Sequence, residues 1–157
     1  IVTISNVSGA RYADMSKCNY LAELPHDIQQ HQILSRNDIL ISLTGNVGRV
    51  SFCLADGDLL NQRVGVLSLC DEAYKEYIYQ VLSDWRFEMS MVACGQGAAQ
   101  LNISKSNVEG YLVPYEQSEC QEIGNFFSLL DDRIEIEEEL LKQYEMQKKY
   151  LLRQMFI

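Results

Sequence analysis

The chain has 157 residues, close to half of them hydrophobic, and a formal charge of −9. This is enough for one ordinary domain plus an appendage, and too apolar for a disordered chain. No apolar run approaches the ~18 residues of a membrane span and no signal peptide is visible, so the expected location is cytoplasmic.

The chain opens on Ile1, straight into a strand-like Val2–Ser5, and reads as a fragment from which something upstream is missing. Asn6, Val7, Ser8 and Gly9 then spell a turn. From Ala10 to Gln32 the pattern is irregular, and Pro25 forbids a continuous helix there. Ser35 to Asp38 is a tight turn with Asn37 suited to a left-handed position. Ile39–Leu43, Arg49–Leu54 and Arg63–Leu69 read as three strands joined by glycine-containing turns, most simply an antiparallel or mixed sheet.

Asp71 is placed to N-cap a helix running to about Ala93. Its apolar face would be Tyr74, Tyr77, Ile78, Val81, Leu82, Trp85, Met89 and Val92, packed on the sheet. A small-residue loop follows, Cys94 to Gln100. Then come a short strand at Leu101–Ile103, caps for one helical turn at Ser104–Asn107, and an extended run from Tyr111 into Pro114. The fold class expected is α+β.

The last third, from about Gln121 to Ile157, is a single long helix. Stepping by fours and threes gives Ile123, Phe127, Leu130, Ile134, Glu137, Leu141, Tyr144, Lys148, Leu151 and Met155. Eight of these ten stations are apolar or aromatic. That is the seam of a coiled coil, which requires a partner helix. Glu137 and Lys148 interrupt it and are suited to fixing register. The opposite face, including Asp131, Asp132, Arg133, Glu135, Glu138, Glu139 and Lys142, is expected to be solvated. The alternative is an ordinary core helix of unusual length. The chain thus divides into a globular domain over 1–117 and the helix over 118–157.

The chemistry offered is limited. Five cysteines at 18, 53, 70, 94 and 120 include no CxxC and make neither a disulfide framework nor a zinc site; they read as buried free thiols. His26 and His31 have no third ligand nearby. No nucleophile elbow, HExxH helix or phosphate-binding loop occurs, and Cys94 lacks a histidine in reach, so no catalytic residue is assigned. Residues 116–157 carry ten acids and five bases, and residues 1–115 twelve acids and eight bases. This argues against non-specific attraction to nucleic acid, so any DNA contact would have to come from a local cluster or be helped by a basic partner. What remains is a pair of polar, glycine-rich loops, Ser42–Arg49 and Gln96–Lys105. Their Thr, Asn, Gln and Arg side chains are of the kinds that read base edges or hold phosphates. On composition alone the simpler account is hairpin turns closed by Asn46 and Asn102.

The order of segments changes that balance. NDILISLTGNVGRV is followed by NQRVGVLSL, a helix containing YIYQVL, GQGAAQLNISKSNVEGYLVP, a hinge, and a heptad helix ending LLRQMFI. From Ile33 to Ile157 this resembles the specificity (S) subunit of Type I restriction–modification systems, as one target-recognition domain followed by one spacer helix. The matching positions are Asp38, Ile39, Leu40, Ile41, Ser42, Thr44, Gly45, Val47 and Gly48, then Gly97, Ala99, Gln100, Asn102 and Ile103. Asn37 stands where the family has glycine, and Glu116 and Gln117 follow Tyr115 directly, which alters the hinge. Val2–Gly9 resembles a stretch near the middle of such recognition domains. Arg11–Gln32 lies where these domains vary, and no role carries over to it.

The resemblance implies a non-catalytic subunit that reads one half of a bipartite sequence in double-stranded DNA and holds the methylation subunits. S-adenosylmethionine would belong to those subunits, and ATP and Mg to the restriction subunit; this chain would bind no cofactor. The residues expected at DNA are Thr44, Gly45, Asn46, Gly48 and Arg49 in the first loop, with Gln96, Gln100, Asn102 and Lys105 in the second. Gly95 and Gly97 would allow close approach, and Arg63 is a lesser candidate. The helix would pair with a copy of itself or with a helix of the same longer chain, as a ruler between half-sites. Two alternatives stand beside this reading: an assembly module that no longer reads DNA, and the recognition domain of a fused restriction–methylation enzyme.

Overall fold

The structure, a computed structural model, describes residues 1–157 apart from Lys17, Pro25, Ala98, Ala99 and Ile157. The expectations resting on Pro25 and Ala99 lie outside the described residues. Among those described, the chain forms β1 (Ile39–Ser42), β2 (Val50–Phe52), β3 (Val64–Leu67), α1 (Lys75–Ser83), α2 (Trp85–Cys94), α3 (Lys105–Glu109) and α4 (Gln117–Met155). No helix among them is long and apolar enough to cross a membrane.

The sheet is antiparallel in the order β2-β1-β3, with Leu40 opposite Ser51 on one side and Val66 on the other. Every residue of β1 is buried, because the sheet is covered on both faces. Ile39, Ile41 and Phe52 pack under Tyr79 and Leu82 of α1 and Phe87 and Met91 of α2. Leu40, Cys53 and Val64 face the other way, against Val2, Val7, Ala13 and Leu34 of the N-terminal segment. The turn at Ser35–Asp38 closes with Asn37 at φ 65°, as its residue type suggests.

Val2–Ser5 is not a strand. Val2 makes an isolated bridge to Leu60, and the chain then folds around Asn6. The buried Asn6 carboxamide accepts from the Thr3 amide at 2.8 Å and donates to the Asp14 carbonyl at 2.6 Å. Residues 11–13 run along the free edge of β2: the Phe52 amide donates to the Arg11 carbonyl at 2.7 Å, and the Ala13 amide to the Phe52 carbonyl at 2.9 Å. The edge strand is covered, which removes a site for unwanted pairing.

The helix expected from Asp71 to Ala93 is broken. Asp71 does accept from the Ala73 amide, but it caps a 3-10 turn at Glu72–Tyr74 that leads into α1. Asp84 is extended (φ −70°, ψ 140°), and its carboxylate caps α2 through the Arg86 amide. The break rotates the second half. Phe87 and Met91 point inward, while Trp85, Met89 and Val92, assigned above to the core face, are exposed.

The cysteines also depart from the expectation. Cys53 and Cys120 are buried, but Cys70 and Cys94 are exposed and Cys18 is half-buried.

Helix α4 begins at Gln117, earlier than the heptad pattern indicates, and its first four turns lie against α1. Cys120 and Gly124 are buried there. Asp131 is not on a solvated face: it accepts from Arg11 Nη1 at 2.7 Å and from Gln80 Nε2 at 2.5 Å. Beyond this contact the helix projects free of the domain, with Ile134, Leu141, Tyr144, Leu151 and Met155 exposed.

Candidate nucleic-acid interface

The two glycine-rich loops meet at one end of the sheet. The Gly45 amide donates to the Leu101 carbonyl at 2.8 Å, and the Ile103 amide to the Leu43 carbonyl at 2.9 Å. Between them the Thr44 hydroxyl donates to Asn102 Oδ1 at 2.9 Å. Asn102 pairs in turn with Gln96 through both backbone bonds, 3.0 and 2.9 Å, and its Nδ2 donates to the Gln100 carbonyl at 3.0 Å. The expected residues Thr44, Gly45, Asn46, Gln96, Gln100 and Asn102 therefore form one polar rim. Asn46, Gln96, Gln100 and Asn102 are exposed along it.

The rim is held from beneath by Ser42, a buried residue that matches the family pattern but to which the sequence alone gives no role. Its hydroxyl donates to the Asn46 carbonyl and accepts from the Arg49 amide. A hydroxyl in this place pins both ends of the loop to the core strand.

The glycines divide into two kinds. Gly97 has φ 126°, and a side chain there would stand 2.3 Å from the Gln100 carbonyl oxygen, so this turn tolerates only glycine. Gly48 does not face outward. It is buried, and a Cβ would lie 2.7 Å from that of Met91, so its service is the packing of the loop on α2. Gly95 likewise lies against Leu101.

The cations divide too. Arg49 Nε meets Glu88 Oε1 at 3.3 Å, in a polar cleft of about 260 Å³ that Ser8, Gly9 and Ser83 also line. Lys105 meets Glu109 at 3.3 Å one turn along α3. Arg63, ranked lowest from sequence, lies at the same sheet end as the rim, since its carbonyl accepts from the Leu43 amide at 3.0 Å. Among the described residues its side chain is in no ion pair, and it is exposed. The register of β1 with β3 brings Arg63 there. No three His, Cys, Asp or Glu side chains are gathered among the described residues as a metal site requires.

This arrangement has known counterparts. The model of the Type I restriction modification DNA specificity domain matches residues 9–146. Among solved structures, the S subunit of a Type I restriction–modification system from M. genitalium superposes with a TM-score of 0.55 at 26% identity, over 73% of this chain and 30% of that one. This chain thus spans less than a third of that subunit's length. No curated protein matches it. The family match takes in the sheet, both rim loops and α4 as far as Met146, and on it the chain belongs to the Type I restriction–modification DNA specificity domains.

Proposed function

We propose that this chain reads one half of a bipartite DNA sequence through the rim, without catalysis of its own. The observation that carries this is the joining of the two loops through Thr44 and Asn102. It turns two separate turns into a single surface of exposed amide and hydroxyl groups. Asn and Gln side chains suit adenine edges, and Arg63 and Arg49 suit guanine or phosphate. The methylation subunits would bring S-adenosylmethionine, and the restriction subunit ATP and Mg. The complex would work on cellular DNA in the cytoplasm.

Helix α4 then serves as the spacer, and its seam takes the α4 of a second copy, restoring two half-sites from two identical chains. The acidic charge of the domain leaves much of the phosphate attraction to the methylation subunits. Co-expression with a methylation subunit and genome-wide mapping of methylated adenine tests the reading. The expected result is a palindromic bipartite motif. A complex that forms without methylating any motif would reduce the chain to an assembly module.

A further inference from the structure

Arg11 sits where the sheet, α1 and α4 converge, and each holds it. Its backbone is bound to the edge of β2 through Phe52. Its guanidinium donates to both Glu76 carboxylate oxygens on α1 at 3.2 Å. From α4 it takes Asp131 at 2.7 Å and the Ser128 hydroxyl at 3.2 Å. It also lies within 6 Å of the ring centroids of Tyr12, Phe52 and Tyr79. The side chain is only 15% exposed. Burial alone would loosen its proton, but Glu76 and Asp131 outweigh that and hold it charged. A planar, multi-donor group fixed on three sides leaves little freedom in the angle between the elements it joins.

That angle is amplified. From Asp131 to Met155 the helix runs on for about 36 Å at 1.5 Å per residue. A tilt of ~10° at its base moves the far end by ~6 Å, nearly two base-pair steps of about 3.4 Å.

We infer that Arg11, clamped between Glu76 and Asp131, is a positioning residue that sets the direction in which α4 leaves the domain, and so restricts the spacing between the two half-sites that the assembly accepts. This rests on the DNA-reading role proposed above. Among the described residues Arg11 makes no hydrogen bond, ion pair or ring contact with the rim, so its loss is expected to leave the bases read at each half-site unchanged.

The test compares wild-type chain, Arg11→Met, Asp131→Ala and the exposed neighbour Asp132→Ala, each co-expressed with the methylation subunit and mapped for methylated adenine. Wild type and Asp132→Ala are expected to mark one spacer length. Arg11→Met and Asp131→Ala are expected to mark the same half-sites at two or three adjacent spacer lengths. A single unchanged spacing in both clamp variants overturns the inference, as does a wild type that already marks several. Loss of the half-site preference itself would place Arg11 in reading and also overturn it.

A second measurement needs no DNA. Hydrogen exchange on the purified full chain should rise at least tenfold for amides of 118–131 in both clamp variants, with the amides of β1 unchanged. Failure of all methylation with this rise present rejects the DNA-reading role and keeps the clamp. Unchanged exchange rejects the clamp itself.

Discussion

Gly124 of α4 touches the backbone of Tyr77 in α1: a Cβ on the glycine would lie 2.6 Å from the Tyr77 amide nitrogen and 3.1 Å from its Cα. The two helices meet closely enough that only glycine fits. Tyr77 also anchors the approach to α4, because its hydroxyl donates to the Pro114 carbonyl at 2.6 Å.

The sign of one substitution reports on this contact. In a free helix Gly124→Ala would gain about 0.8–1 kcal/mol of helix propensity. In the docked helix it must push α4 from α1, at a cost of about 1–3 kcal/mol. Denaturant unfolding should therefore show Gly124→Ala to be less stable than wild type. A more stable variant would mean that α4 does not rest on α1.

Asn102→Ala removes the acceptor of Thr44 and the donor to Gln100, yet keeps both backbone bonds to Gln96. The site is exposed, so stability should change by less than about 0.5 kcal/mol. Half-site discrimination should fall by about 1–3 kcal/mol, roughly 5- to 150-fold, if these groups meet base edges. Methylation efficiency on plasmids carrying single-base variants of the half-site measures it. Unaltered discrimination would take Asn102 out of reading.

Glu88 pairs with Arg49, and on the proposed reading it would compete with DNA for that cation. Glu88→Gln keeps the shape and frees the cation. DNA binding by the assembled complex should tighten, and its slope of log K against log salt should steepen by about 0.9, the value for one added phosphate contact. Fluorescence anisotropy over a salt series checks this. An unchanged slope leaves Arg49 as a packing and ion-pair residue of α2.

The two rim loops and the long C-terminal helix were legible in the sequence because each has a local signature: glycines with Thr and Asn at a strand end, and apolar residues at heptad spacing. Three other features are set by contacts that leave no such mark. The break at Ser83–Asp84 contains neither proline nor glycine, and Asp84 reads as an ordinary helical acid until its side chain is seen capping α2. With the break missed, the periodicity carried Trp85 and Met89 into the core and left Phe87 and Met91 out. Arg11 and Asp131 are 120 positions apart and unite only when α4 folds back on α1. Gly48 matches a loop pattern, but Met91, brought over it by the turn into α2, decides what it is for.

Burial pushes the Cys53 thiol up, a backbone hydrogen bond with Ala55 opposes this, and Asp58, Asp38 and Asp56 add to the rise. The raised value means that the folded chain keeps a proton the unfolded chain gives up. The associated stability is complete below about pH 8.5, the ordinary thiol value, and is lost as pH rises toward the folded value. Denaturant melts at pH 8 and pH 9.5 should show wild type losing more stability than Cys53→Ala over that interval. Iodoacetamide on the native chain should label Cys70 and Cys94, with Cys53 and Cys120 reacting only after unfolding. Native labelling of Cys120 would contradict the docking of α4.

On the self-pairing proposed above, the two charges at seam positions would select how copies of α4 meet. Parallel pairing in register sets Glu137 against Glu137 and Lys148 against Lys148. Antiparallel pairing about a two-fold axis midway between Leu141 and Tyr144 sets Glu137 against Lys148 twice. It also sets Leu130 against Met155, Ile134 against Leu151 and Leu141 against Tyr144, so each apolar station from Leu130 to Met155 meets another and each acid meets a base. Polar residues at seam positions fix register in this manner. Lys148→Glu should weaken self-association at least tenfold by sedimentation equilibrium, and Glu137→Lys should do the same. The double variant, Glu137→Lys with Lys148→Glu, should restore it, since the pairs are only reversed. Failure of the double variant to recover would exclude this register. A chain that stays monomeric at every concentration would assign the seam to a helix of another protein or of a longer chain.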